Sequence, residues 1–279
     1  MLVDSHAHLE VIDDLEGTLD RAKDAGVSKI LAIGASIETS KRAVEISDKL
    51  STDDLAIYAA VGIHPKDGRA DVEKFGLLRC FETLKQIAGS FNRVVAIGEC
   101  GLDYYLGSRG PSIRFRTSQG LGTSDKDKEF QTKLFEGQIK LAADLGLPLI
   151  IHCRNAWDDV FKLLTINHKL LPNRGVFHSW TGDWEAAQKA LGLGFYISFS
   201  GIVTFENAPD VQEVAKKAPL GRILIETDSP FLAPPPLRGR KNEPKNVRIT
   251  AQFLADLRTL PFVKIAEATS ENAEKLFRL

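Results

Sequence analysis

Cysteine is scarce in this chain. Cys80, Cys100 and Cys153 are too few, and odd in number, for a disulfide framework, which points to a reducing compartment. Long apolar runs are missing too. None approaches the ~18 residues that a membrane span requires, so no membrane association is expected. The first strand-like segment starts directly after Met1 and leaves no room for a signal peptide, so a cytoplasmic location is expected. An excess of one charge sign is also absent, the formal net charge being −1. Bulk charge therefore gives no support to a nucleic-acid partner, and any such case must rest on local charge. The Gly-rich phosphate loop usual after the first strand of an open doubly wound sheet is lacking as well. That strand candidate ends in His6-Ala7-His8 instead.

What remains is an ordinary globular composition, 43% hydrophobic and 26% charged, able to bury a large core. The 279 residues slightly exceed the ~250 typical of a (β/α)8 barrel, so one domain over 1–279 is the economical expectation. Apolar runs at 2–8, 29–34, 57–63, 94–99, 148–153, 174–178, 194–199 and 222–227 read as strands. Amphipathic stretches between them, such as 40–50, 72–88, 127–145, 157–167 and 183–191, read as helices. In 127–145, Phe130, Leu134, Ile139, Leu141 and Leu145 keep a helical spacing until Gly146 and Pro148 stop it. Eight strands alternating with helices predict parallel βαβ units closed into a TIM barrel. Two further helices, near 246–257 and 263–276, are expected to complete the chain.

The intervals between strand ends agree. They run 26, 30 and 35 residues from His8 through Gly34 and His64 to Glu99, then 26, 22 and 28 from His152 through His178 and Ser200 to Asp228. The exception is the 53 residues from Glu99 to His152. The excess falls in 106–126, rich in Gly, Ser and Arg and without a clear period, which reads as a long loop over the barrel mouth.

There are six histidines, and five of them follow strand candidates: His6, His8, His64, His152 and His178. Glu99 and Asp228 share that setting. A lone histidine after a strand is usually structural, but seven metal-type side chains recurring at one position are hard to explain that way. Strand side chains alternate faces, so His6 and His8 project together with Asp4 one layer deeper. Catalytic groups of a barrel come from the C-terminal ends of its strands. His6, His8, His152, His178, Glu99 and Asp228 are too many for one divalent ion with an open position. They suit two ions sharing a bridging carboxylate, with Zn2+ or Mn2+ more natural than Mg2+ alone. Asp4 and Glu226 are expected to orient an imidazole by hydrogen bond. Cys100 and Cys153 are expected to pack outward against helices, and His168 to be unrelated to the site.

Local charge bears on the substrate. Arg109, Arg114 and Arg116 lie in the long loop, Arg154 leaves the His152 strand, and Arg238, Arg240 and Lys241 follow the Asp228 strand. Seven cations on a metal-bearing rim suggest an anionic substrate, for which a phosphodiester backbone is the obvious candidate.

The motifs Asp4-Ser5-His6-Ala7-His8-Leu9, Gly62-Ile63-His64-Pro65 and Ile97 through Tyr104 are joined by Pro148 through Arg154 and His178-Ser179-Trp180-Thr181-Gly182. Glu226-Thr227-Asp228-Ser229-Pro230 and Asn242-Glu243-Pro244 complete the set. In this order they resemble the TatD family of metal-dependent deoxyribonucleases, within the wider amidohydrolase-type barrels, nearly end to end. The resemblance implies that His6, His8, Glu99 and Asp228 hold one ion and Glu99, His152 and His178 the other, with Glu99 bridging. It further implies that Asp228 accepts a proton from the attacking water and that His64 faces the scissile phosphate without being a permanent ligand. The chain departs from the family at Lys66, where a second histidine is frequent, and at Asn155, where an acidic residue is frequent. The 106–126 loop is longer than the family pattern, which bears on substrate range and not on the metal site.

The expected activity is metal-dependent hydrolysis of DNA phosphodiester bonds, as a 3′–5′ exonuclease on single-stranded or frayed ends. One rival keeps the barrel and changes the bond, to an amidase, lactonase or ester hydrolase, including one acting on aminoacyl-tRNA. Another is a non-catalytic protein with a structural metal, which six ligands and an open rim disfavour. DNA is expected as a transient partner, no obligate protein partner is implied, and a monomer is the simplest expectation.

Overall fold

The computed structural model describes residues 1–106 and 123–279. Eight parallel strands pair in sequence order, β1 (Leu2–Ala7), β2 (Val27–Ile33), β3 (Ala56–Val61), β4 (Val94–Asp103), β5 (Leu149–Arg154), β6 (Gly175–Phe177), β7 (Tyr196–Phe199) and β8 (Ile223–Ile225). The ring closes where Ala7 bridges Ser229, with the Asp228 amide donating to the His6 carbonyl at 2.9 Å and the His8 amide to the Ser229 carbonyl at 2.8 Å. The fold is the expected (β/α)8 barrel.

Helices cover the outside: α1 (Leu15–Asp24), α2 (Ile37–Leu50), α3 (Arg69–Phe75), α4 (Leu77–Ser90), α5 (Asp125–Leu145), α6 (Trp157–Ile166), α7 (Trp184–Gly192) and α8 (Pro209–Lys217). Last come α9 (Val247–Arg258) and α10 (Phe262–Phe277), the two closing helices expected from the sequence. The 72–88 stretch, expected as one helix, is two. Gly76, at φ +78°, ends α3 and starts α4, a backbone conformation that a residue with a Cβ resists. By contrast α5 runs the expected course, capped by Ser124, whose hydroxyl accepts from the Asp127 amide, and ended by Gly146 at φ +65°. The expected 106–126 loop, with Arg109, Arg114 and Arg116, falls almost wholly at 107–122, outside the described residues.

Two layers of core follow from strand alternation. Inside the barrel lie Val3, Leu31, Ile33, Ala60, Ala96, Ile150, Val176 and Leu224. Ala273, Leu276 and Phe277 of α10 join them, and Asn272 donates to the Leu220 and Ile223 carbonyls, so α10 stops the end of the barrel where the strands begin. The outer layer packs strands on helices and includes Cys80, Cys100 and Cys153, all buried and unpaired, as expected for the latter two. Among the described residues no helix is long and apolar enough to cross a membrane.

Candidate metal centre

All six proposed ligands converge at the C-terminal rim. His6 projects from β1 and His8 follows its last residue, and the closure of the ring brings Asp228 beside them. Glu99 sits on β4 where its pairing with β5 shifts register between Ile97 and Cys100, and its amide donates to the Gly34 carbonyl at 2.9 Å. The strand expected at 94–99 continues to Asp103, pairing Cys100 with Ile151 and Asp103 with Arg154. Two glycines permit this. A Cβ on Gly62 would lie 2.6 Å from the Gly98 carbonyl carbon, and one on Gly98 would lie 2.6 Å from the Ile150 Cβ, both closer than atoms pack, so Gly62 admits β4 and Gly98 admits β5.

Glu99 divides its oxygens between two groups. Oε2 lies 3.7 Å from His6 Nε2 and 3.6 Å from His8 Nε2. Asp228 Oδ1 lies 3.6 and 3.5 Å from the same nitrogens, which are 3.3 Å apart. Ligand atoms held about 2.0–2.2 Å from one tetrahedral ion are about 3.3–3.6 Å from each other. These separations of 3.3–3.7 Å match such a cage, so the residues fit a divalent ion. Oε1 lies 2.8 Å from His152 Nδ1 and 2.9 Å from His178 Nε2, nitrogens themselves 3.2 Å apart. This second group is drawn in to hydrogen-bond lengths. His64 Nε2 stands 3.6 Å from Oε1, and its Nδ1 is 3.2 Å from the Lys66 and Asp67 amides, which anchors the ring.

The electrostatics follow. Burial alone would raise the Glu99 pKa, but the His178 and His64 charges and hydrogen bonds from His152 and His178 hold it well below the usual carboxylate range. Asp228 is likewise lowered against its burial, chiefly by His8 and His6. Burial would lower His178, yet Glu99 and Glu226 push it up to about 10. His8 rises against its burial too, through Asp228 and Glu10, and His152 through Asp103 and Glu99. His6 moves down, from burial and from the charge of His178, whose ring stacks 4.0 Å away.

The supporting residues divide. Glu226 Oε1 accepts from the Ser179 amide at 2.7 Å and lies 3.4 Å from His178 Nδ1, beside that imidazole but without the expected hydrogen bond to it. Asp4 does not steer a ring. It accepts from the Thr227 amide at 2.9 Å and hydroxyl at 2.6 Å, tying β1 to the turn that carries Asp228. Burial pushes its carboxyl up to about 8. Sequence reasoning missed Asp103, whose Oδ2 is 3.3 Å from His152 Nε2 while Oδ1 is 3.1 Å from Lys66 Nζ. It shares strand parity with Glu99, but ending the strand at residue 99 hid it. Glu10, 3.5 Å from His8 Nδ1, was missed in the same way, lying just past β1. His168 lies beyond the end of α6, in none of these groups.

A cavity of about 670 Å³ opens from His152, His178 and Asp228 towards Trp157, Phe161 and Lys189. Arg154 lines it, its guanidinium stacked 3.7 Å from the Tyr105 ring centre. Among the described residues Arg238, Arg240 and Lys241 do not line it. Arg238 stacks on Phe205, Lys241 pairs with Asp13 on the surface, and Arg240 is exposed.

A parallel eight-stranded barrel with a histidine–carboxylate cluster at its C-terminal rim defines a metal-dependent hydrolase. The chain belongs to the family of TatD related DNases, whose description it matches over residues 3–278. It is 40% identical to the uncharacterized metal-dependent hydrolase YabD of Bacillus subtilis, the alignment covering 100% of both chains. It is 34% identical to the uncharacterized metal-dependent hydrolase YcfH of Escherichia coli K12, over 100% of this chain and 96% of that one. Among solved structures it resembles YjjV, a TatD homologue from Escherichia coli K12. The TM-score is 0.84 at 29% identity, covering 100% of this chain and 98% of that one.

Proposed function

We propose that the protein hydrolyses phosphodiester bonds in DNA, working from single-stranded or frayed 3′ ends, with two divalent ions bridged by Glu99. The observation that carries this is the division of Glu99, one oxygen facing His6, His8 and the other His152, His178. His6, His8, Glu99 and Asp228 would hold one ion, and Glu99, His152 and His178 the other. Divalent ions there would supply Lewis acidity and offset charge on the phosphate. Asp228 takes the proton of the attacking water on its carboxylate, which is ionised near neutral pH. His64, tied through Nδ1 to the Lys66–Asp67 backbone, directs Nε2 at the reacting phosphate.

Arg154 supports an anionic substrate. It borders the cavity two residues beyond His152, and among the described residues no carboxylate pairs with it. The lining also carries Asp158, Asp183, Glu185 and Asp210 against Lys189, so the cavity as a whole disfavours a long polyanion. That favours contact with a short stretch of strand, in keeping with attack at an end. Arg238, Arg240 and Lys241 would meet the strand farther out.

The test is an assay of metal-loaded protein against end-labelled single-stranded DNA, a lactone and amide panel, and charged tRNA. Stepwise shortening of the DNA from its 3′ end is expected. Turnover confined to the lactones, amides or charged tRNA would replace this reading with a small-molecule or aminoacyl-ester hydrolase.

A further inference from the structure

Phe231 stands at the mouth with 48% of its surface exposed, whereas Phe177, Trp180 and Phe199 near the strand ends are buried. Its ring centre is 5.7 Å from that of His8, nearly edge-on at 70°. The segment presenting it is pinned on every side. The Phe231 amide donates to the Asp228 carbonyl at 2.8 Å, the Ser229 carbonyl accepts from the His8 amide, and the Pro230 carbonyl accepts from the Asn242 amide at 3.0 Å. The Asn242 side chain donates in turn to the Thr227 carbonyl at 2.9 Å. The ring is thus carried by a backbone that cannot swing away, and its exposed half is not the accident of a loose loop.

Leaving half of a phenyl ring in water costs free energy that packing it inward would recover. A flat ring held rigidly beside a metal ligand is instead what a stacking partner needs, because little motion is lost when that partner binds. Across the rim, on the His152 side, Arg154 lies on Tyr105. The two flanks therefore differ in kind. One offers a guanidinium to an oxyanion, and the other a bare aromatic face.

We propose that Phe231 is the stacking platform for the nucleobase next to the scissile phosphodiester, the neighbouring phosphate lying towards Arg154, so that the site accepts only an unpaired strand. The inference rests on the nuclease reading above and adds the recognition element that reading lacks. A base within a duplex is covered on both faces and cannot reach the ring, whereas a terminal or frayed base can. Every base has a π-face, so the platform distinguishes stacked from missing bases and not one base from another.

An abasic scan tests it. Single-stranded oligonucleotides carrying one abasic residue at successive positions from the 3′ end are digested, and kcat/KM is measured for wild type, Phe231→Ala, Phe231→Leu and Phe231→Trp. In wild type one position is expected to lose about ten-fold or more when its base is removed, in line with the worth of one base–aromatic stack. Phe231→Ala and Phe231→Leu are expected to lose a similar factor on intact DNA and to show no further loss at that position. Phe231→Trp is expected to keep both the rate and the abasic penalty. Metal content should be the same in all four proteins, and Phe231→Leu keeps an apolar cover on His8 should the alanine variant fold poorly. An abasic penalty of equal size in wild type and Phe231→Leu, or none at any position, overturns the platform while leaving the nuclease reading intact. Failure of wild type to cut any oligonucleotide removes both.

Discussion

At the scale of single residues, the two halves of the site assign different work to groups of the same type. Asp228 lies in the cage of His6 and His8 nitrogens, whereas His64 Nε2 stands 3.6 Å from the other Glu99 oxygen, the one that faces His152 and His178. Asp228→Asn is therefore expected to reduce kcat by roughly 10²–10⁴-fold even with metal restored, the usual effect of losing a general base. His64→Ala should keep its metal and lose less. Equal metal loss in both, measured by elemental analysis, would make His64 a ligand. Asp103 acts through His152, and Asp103→Asn is expected to weaken the binding of one ion by about 10–100-fold, read by chelator competition. Titration adds a further expectation. His8, His152 and His178 are raised, the last to about 10, so His178 carries a proton at pH 7 that an ion must displace. Metal affinity should accordingly rise with pH up to about 10, and calorimetry in buffers of different ionisation enthalpy should report proton release on loading. Affinity independent of pH would mean that these imidazoles are already neutral.

At the scale of elements, the register shift in β4 determines where Glu99 stands. Glycine at 62 lets the Gly98-Glu99 backbone lie close, so Gly62→Ala should push Glu99 out of reach of one histidine group. The expected result is reduced metal stoichiometry with an unchanged far-ultraviolet circular dichroism spectrum. Normal metal content would show that the neighbouring backbone can yield. The α10 helix has the opposite role, remote from chemistry. Phe277 and Leu276 fill the far end of the barrel, and Phe277→Ala is expected to destabilise by about 3–5 kcal/mol in urea unfolding without altering kcat of the folded fraction.

At the scale of the whole molecule, a near-neutral chain binds a polyanion only through local charge. Affinity for single-stranded DNA should fall with log salt at about −0.7 per phosphate contact. Arg154→Ala is expected to flatten that slope by one contact, and neutralising Arg238, Arg240 and Lys241 together by about two units. An unchanged slope in both would remove the charge argument for nucleic acid. Two ions per chain are expected after reconstitution, and a saturating value near one would defeat the bridged pair. His6→Ala should lower the value and His168→Ala should not.

The repeating pattern of strand, histidine or carboxylate, and helix determined most of this protein before any coordinate. Alternation along a strand and the spacing of strand ends are local properties, so eight strands, the barrel and the six convergent side chains were legible from residue order. Residues such as Asp103 and Phe231 were not, because their roles depend on what stands across the barrel. Asp103 matters through a contact with His152, 49 residues away in sequence, and through a strand four residues longer than its apolar run. Asp4 reads as a partner for a ring by parity, but the closure between β1 and β8 gives it Thr227 instead. The cations after β8 look equivalent to Arg154 in sequence, yet only Arg154 follows a ligand on its own strand into the cavity. Which side chains meet across a closed ring is a property of the closure, and only the tertiary structure decides it.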